Sequence, residues 1–101
     1  MEPAVIPHVI LFELAYFHGA HRHVFMAEPN LGASDDPSFN RKTSSIIILE
    51  GHWEFFRDVN FQVKDGETLG PGLYPFVTNV GIKNDTIASL RPVSSPPAHN
   101  R

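Results

Sequence analysis

The chain has 101 residues, a hydrophobic fraction of 42% and a formal net charge of −3. That is the length of one domain, with enough apolar side chains for a packed core, and no basic run points to nucleic acid. There is no cysteine, which excludes disulfide staples and thiolate sites and leaves the redox compartment open.

The N-terminus, Met1-Glu2-Pro3-Ala4, has no basic region and no long apolar run, so it does not read as a signal peptide. No apolar stretch approaches the roughly 20 residues needed to span a membrane. A soluble chain without a membrane partner is expected. Residues His8 to Glu13 read as a strand, with Val9, Ile10, Leu11 and Phe12 behind Pro7. Gly19 is where the chain can take positive φ and fold back. Ala20 to Phe25 reads as a second strand. Glu28 to Phe39 is a polar loop rich in turn formers. Ser44 to Leu49, with three consecutive isoleucines, is the strongest strand.

Glu50-Gly51 punctuates the chain. His52 to Arg57 is another strand and carries the only Trp, Trp53. Lys64 to Leu69 is a weaker strand with a hairpin or bulge signal at Asp65-Gly66. Leu69 to Tyr74 reads as a tight loop, Pro75 to Gly81 as a short turn or one helical turn, and Thr86 to Arg91 as the last strand. The Pro- and Ser-containing end reads as a disordered tail. About eight short strands, without an amphipathic helix, predict an all-β sandwich or barrel.

The chain also repeats itself. At an offset of 44 residues His8 falls on His52, Phe12 on Phe56, Phe17 on Phe61, Asn40 on Asn84, Ser45 on Ser89 and Ile46 on Leu90. The matches keep their order and cluster in the same two zones of each half, as a duplicated unit would. Halves of roughly 45 residues are too small to hold separate cores, so they should share one. Val9, Leu11, Ile46, Ile48, Trp53, Phe55, Ile87 and Leu90 are the expected core. One residue breaks the repeat: Val63 stands where Gly19 predicts a glycine.

Phe12-x4-Phe17-x-Gly19 followed by Asn40-x3-Ser44-Ser45 resembles the Greek-key motif of the βγ-crystallin superfamily. Gly51-His-Trp53-Glu-Phe-Phe56, Leu69-Gly-Pro-Gly-Leu-Tyr74 and Gly81-Ile-Lys-Asn-Asp-Thr-Ile-Ala-Ser-Leu90 resemble a microbial two-motif member. The resemblance covers about residues 8–92. It implies two Greek-key motifs forming a wedge-shaped sandwich: a single domain over residues 1–101, with the first key at about 8–49, the second at about 52–92 and the tail at about 93–101.

The resemblance also implies Ca²⁺ at two loops of pattern Asn/Asp-Asn/Asp-x-x-Ser/Thr-Ser. Calcium takes six to eight hard oxygens, and such loops offer carboxylates, hydroxyls and carbonyls. The same residues cap ordinary turns. In the family pattern the loops are crossed, each lending its second side chain to the other's site. Carried over, one site uses the Glu13 and Lys42 carbonyls, the Ser44 hydroxyl and the Asp85 carboxylate. The other uses the Arg57 and Thr86 carbonyls with positions 88 and 41. These are Ala88 and Arg41, so the second site has lost both side-chain ligands. Uncrossed, each site would lack one ligand.

The resemblance thus implies a non-enzymatic calcium-binding domain with one retained site and one degraded. The alternative is a structural or partner-binding Greek-key domain that no longer binds calcium; the sequence names no protein partner. An inhibitor or toxin on the same fold is disfavoured by the missing disulfides. Enzyme readings are weak: no Gly-x-Ser-x-Gly elbow occurs, and Asp35-Asp36 beside Pro37 reads as a turn. His18, His21 and His23 lie close in sequence, with His21 and His23 on one strand face. They could hold Zn²⁺ or Ni²⁺, although a polar strand face is the simpler reading.

Overall fold

A computed structural model describes residues 6–32 and 39–93. The described residues form seven strands in chain order: β1 (His8–Leu14), β2 (His18–Val24), β3 (Ser45–Glu50), β4 (His52–Asp58), β5 (Gln62–Lys64), β6 (Gly72–Tyr74) and β7 (Ser89–Val93). Among the described residues the only helical pieces are three 3₁₀ turns, at Ala15–Phe17, Val59–Phe61 and Val77–Val80. The expected all-β class is therefore observed, as two antiparallel sheets ordered β2-β1-β3-β6 and β5-β4-β7.

The two halves interlock rather than stand side by side. β6, from the second half, pairs with β3 of the first through Ile46↔Tyr74, Ile47↔Leu73 and Ile48↔Gly72. In exchange, Glu28 of the first half bridges Leu90 of the second with bonds of 2.8 and 3.1 Å, and the Leu31 amide donates to the Ala88 carbonyl at 2.9 Å. Each half thus closes the other's sheet, and the shared core expected from the size of the halves follows.

Alternation along the strands sets the core. Val9 and Leu11 from β1, Ile46 and Ile48 from β3, Trp53 and Phe55 from β4, with Ile87 and Leu90, are all 2% exposed or less. Each such aliphatic or Phe side chain is worth about 1.5–3 kcal/mol on burial. Leu31, Phe39, Val77 and Ile82, from the connecting segments, complete the cluster.

The repeated residues have matching structural duties. In the first hairpin the Ser45 hydroxyl donates to the Leu14 carbonyl at 2.6 Å and accepts from the Phe17 amide at 3.0 Å. In the second, Ser89 does the same with Asp58 and Phe61, at 2.6 and 3.1 Å. Phe12 meets Phe17 edge-on at 5.6 Å, and Phe56 meets Phe61 at 5.7 Å. A buried serine at the start of β3 or β7 therefore pins each folded-over hairpin.

Gly19 has φ +83°, as the fold-back requires, and a Cβ there would stand 3.0 Å from Leu14 Cγ. Val63 is held at φ +58°, where a β-branched side chain crowds its own backbone. Val63→Gly should therefore stabilise the domain, by about 1 kcal/mol after the glycine's extra unfolded-state entropy is deducted. Urea denaturation measures this, and an unchanged or lower midpoint would contradict the strain assignment.

Three expected boundaries move. The strand expected over Lys64 to Leu69 ends at Lys64: Asp65 turns inward, and only Leu69 returns, bridging Trp53. The expected loop at Leu69 to Tyr74 contains β6, because the free edge of β3 is paired there. The Tyr74 hydroxyl donates to the Gly70 carbonyl at 2.6 Å, closing the corner before β6. The last strand begins at Ser89 and not Thr86, since the preceding residues serve the loop crossing described next. It runs on to Val93, with Pro92 opposite Trp53 and Val93 opposite His52. The remainder of the expected tail lies outside the described residues.

Candidate metal-binding loops

Two loops, residues 40–44 and 84–88, lead into β3 and β7. The second residue of each, Arg41 and Asp85, is left-handed, with φ +57° and +61°. That turn aims each second residue at the other loop. The Arg41 amide donates to the Ile87 carbonyl at 2.8 Å, and the Asp85 amide donates to the Thr43 carbonyl at 3.2 Å. These bonds relate the loops by the same 44-residue offset, and the loops cross.

Crossing brings Ser44 and Asp85 of the first set together. The Ser44 hydroxyl donates to Asp85 Oδ1 at 3.3 Å. The Ser44 amide donates to the Phe12 carbonyl at 2.9 Å, which seats Ser44 beside Glu13, at the bulge between Phe12 and Leu14. The Glu13 side chain turns toward the hairpin, where Oε1 accepts from the Ala20 amide at 3.4 Å. Lys42 sits between Arg41 and Thr43, its amide donating to the Phe39 carbonyl at 3.2 Å. Ser44 is buried, whereas Glu13, Lys42 and Asp85 are exposed. The chemistry offered is one carboxylate, one hydroxyl and two backbone carbonyls, all hard oxygens of the kind Ca²⁺ takes. Two to four coordination positions would be left for water.

The second set is differently occupied. The Ala88 amide donates to the Phe56 carbonyl at 2.8 Å, placing Ala88 beside Arg57 as Ser44 is placed beside Glu13. Ala88 brings no side-chain oxygen. Arg41 reaches across: its Nη2 donates to the Arg57 carbonyl at 3.4 Å and to Asp58 Oδ1 at 3.3 Å. Arg41 and Asp58 are both more than half exposed, so this ion pair is worth at most about 1 kcal/mol. Its consequence is positional, since a guanidinium stands against the carbonyl a cation would use. The Thr86 hydroxyl contacts the Lys83 carbonyl at 2.6 Å and the Asp65 carboxylate, which leaves only its carbonyl for a cation.

Two residues here escaped the sequence reading. Asp65 is fully buried; its Oδ1 lies 3.5 Å from Arg57 Nε and accepts from the Lys83 amide at 3.2 Å. In the sequence it was half of a turn signal. Asp58 is the acidic partner of Arg41, a pairing that depends on the crossing. Among the described residues no group of three or more His, Asp or Glu side chains is placed to hold a metal. A site here would depend on a single carboxylate, Asp85, together with backbone and hydroxyl oxygens.

Comparison with known proteins agrees with this architecture. The Beta/Gamma crystallin family matches residues 8–93. A human protein, beta/gamma crystallin domain-containing protein 2, is 34% identical over 97 residues; the match takes in 93% of this chain and 5% of that protein. A βγ-crystallin from an archaeon superposes with a TM-score of 0.77 at 31% identity, covering 88% of this chain and all of the other. One from Ciona intestinalis gives 0.77 at 30%, covering 85% and 99%. A transition-metal-ion-binding βγ-crystallin from Methanosaeta thermophila gives 0.73 at 34%, covering 84% and 99%. Such domains are structural, non-catalytic folds. Interlocked Greek keys, serine-pinned hairpins and crossed loops are thus joined by a match over nearly all of the described chain, and the chain belongs to the βγ-crystallin family.

Proposed function

We propose that this chain is a non-enzymatic βγ-crystallin domain that binds one Ca²⁺ at the Glu13, Lys42, Ser44 and Asp85 oxygens and is stabilised by it. The second loop pair, Arg57, Thr86, Ala88 and Arg41, is a degraded site. The observation that carries the reading is the convergence of Ser44 and Asp85 from crossed loops, a placement that a turn built only for its own capping does not need. The position of Arg41 against the Arg57 carbonyl supports the loss of the other site.

With one carboxylate and mostly neutral oxygens, the affinity should be weak, on the order of 10⁻⁵ to 10⁻³ M. At a hundredfold excess over Kd, Ca²⁺ should add about 2.7 kcal/mol, a rise in Tm of roughly 10 °C or more for a domain of this size. Calorimetric titration of chelator-treated protein should show one binding step, and Asp85→Ala should abolish both the step and the melting shift. A shift undiminished in Asp85→Ala would mean the ligands are wrongly assigned. Two steps in the unaltered protein would overturn the degraded second site. Thermal silence would favour the alternative, a structural domain whose loop crossing is closed by the Ser44–Asp85 bond alone.

A further inference from the structure

The outer face of the β2-β1 pair is not used by either loop site. Register places His23 opposite Ile10 and His21 opposite Phe12, so both imidazoles lie on the face that turns away from Val9 and Leu11. His8 lies on the same face by alternation along β1. Of the histidines grouped in the sequence, His18 sits beyond the hairpin bulge, opposite Leu14; the nearest nitrogen to His23 comes instead from His8. His8 Nε2 and His23 Nδ1 are 2.8 Å apart, one donating its hydrogen to the other.

The surroundings hold these rings in place. Phe25 lies 4.4 Å from the His8 ring, and its plane is within 10° of that of His23 at 6.2 Å. His21 stands edge-on to His23 at 5.3 Å. Ordering two imidazoles is part of the cost of chelation, and packing between aromatic rings meets part of it beforehand.

We infer that His8 and His23 form a two-imidazole chelate for a divalent transition metal with tetragonal preference, Cu²⁺ or Ni²⁺. A neutral imidazole carries its proton on either nitrogen. When both protons move to the outer nitrogens, two lone pairs face the gap. With metal–nitrogen bonds of about 2.0–2.1 Å, two neighbouring ligand nitrogens lie about 2.9–3.3 Å apart, so the two rings, now joined by a 2.8 Å hydrogen bond, need only small rotations to reach chelating distance. Imidazole nitrogens suit Cu²⁺ and Ni²⁺. Water fills the other positions. Hard Ca²⁺ has no use for these ligands, and the site is independent of the crossed loops.

Electron paramagnetic resonance of untagged protein with one equivalent of Cu²⁺ tests it. The expected spectrum is axial, with coupling to two imidazole nitrogens. Either His8→Ala or His23→Ala should remove one coupled nitrogen and weaken Cu²⁺ affinity at least tenfold, with the far-UV spectrum unchanged. His18→Ala, His52→Ala and Asp85→Ala should bind as the parent does, and the last separates this site from the calcium reading. Wild-type binding in His8→Ala, or no nitrogen coupling in the parent, would overturn the inference.

Discussion

Trp53→Ala should cost about 3–5 kcal/mol, the usual range for deleting a buried tryptophan. Domains of this kind have about 5–15 kcal/mol in total, so the variant should lose a large share of its stability. Two features place the loss at the high end. The indole is fully buried, and its Nε1 donates to the Glu50 carbonyl at 3.1 Å. The Trp53 backbone is held on both sides, by bonds of 2.8 and 2.9 Å with Leu69 and by pairing with Pro92 of β7, so the chain around the cavity is not free to collapse into it. Trp53→Phe, which keeps most of the apolar volume and loses only the Nε1 bond, should cost about half as much. Because the only Trp is removed, unfolding must be followed by far-UV circular dichroism. A midpoint for Trp53→Ala within 1 kcal/mol of the parent would show that the cavity collapses or that the ring contributes little.

Trp53 also shows how much of the fold was legible beforehand. Core residues could be read from alternation and strand propensity because those are local signals: a strand that buries one face must put Val9 and Leu11, or Ile46 and Ile48, on the same side. The duplicated serines were visible as a repeat, though not their task of pinning the hairpins, which needs Ser45 placed against Leu14 in space. The strand exchange was not legible. Gly72–Tyr74 has the composition of a turn and is a strand only because β3 offers it an edge. At the candidate site, Asp85 and Ser44 were joined through resemblance to a family pattern, and the placement of Arg41 against Arg57 followed from the crossing. His8 was missed as the partner of His23 because their proximity depends on the register between β1 and β2. Asp65 was missed for a similar reason: Asp-Gly is a good turn signal, and nothing local says that this aspartate turns inward.

Asp65→Ala should destabilise the domain by about 3 kcal/mol, the second-largest single loss expected. Its carboxylate is fully buried, and burying a charge is tolerated only with partners. Oδ1 accepts from the Lys83 amide at 3.2 Å and lies 3.5 Å from Arg57 Nε; Oδ2 meets the Thr86 hydroxyl. Hydrogen bonds to a charged group are worth about 1.5–3 kcal/mol each, and at least two are lost here. Arg57 is half exposed, so its freed guanidinium can be hydrated, which keeps the loss below that of a fully buried pair. The Lys83 amide has no such remedy if it stays buried. Gly66, next along the chain, fixes the geometry: it holds φ +73°, and a Cβ there would come within 2.6 Å of Ile82 Cγ1. The 65–66 step is therefore pressed against the 81–83 segment, and Asp65 anchors the segment leading into the second loop. Asp65→Asn keeps the shape and one acceptor oxygen, so it should cost about 1–2 kcal/mol, smaller than the alanine change. Chemical denaturation of both variants gives the two values. Amide hydrogen exchange should also show protection falling at Lys83 in Asp65→Ala while Ile46 and Ile48 keep theirs. Equal losses for Asn and Ala would assign the effect to the lost negative charge beside Arg57 and not to the hydrogen bonds that Asn can keep. A loss below 1 kcal/mol in Asp65→Ala would mean that the anchor is redundant with the backbone packing at Gly66.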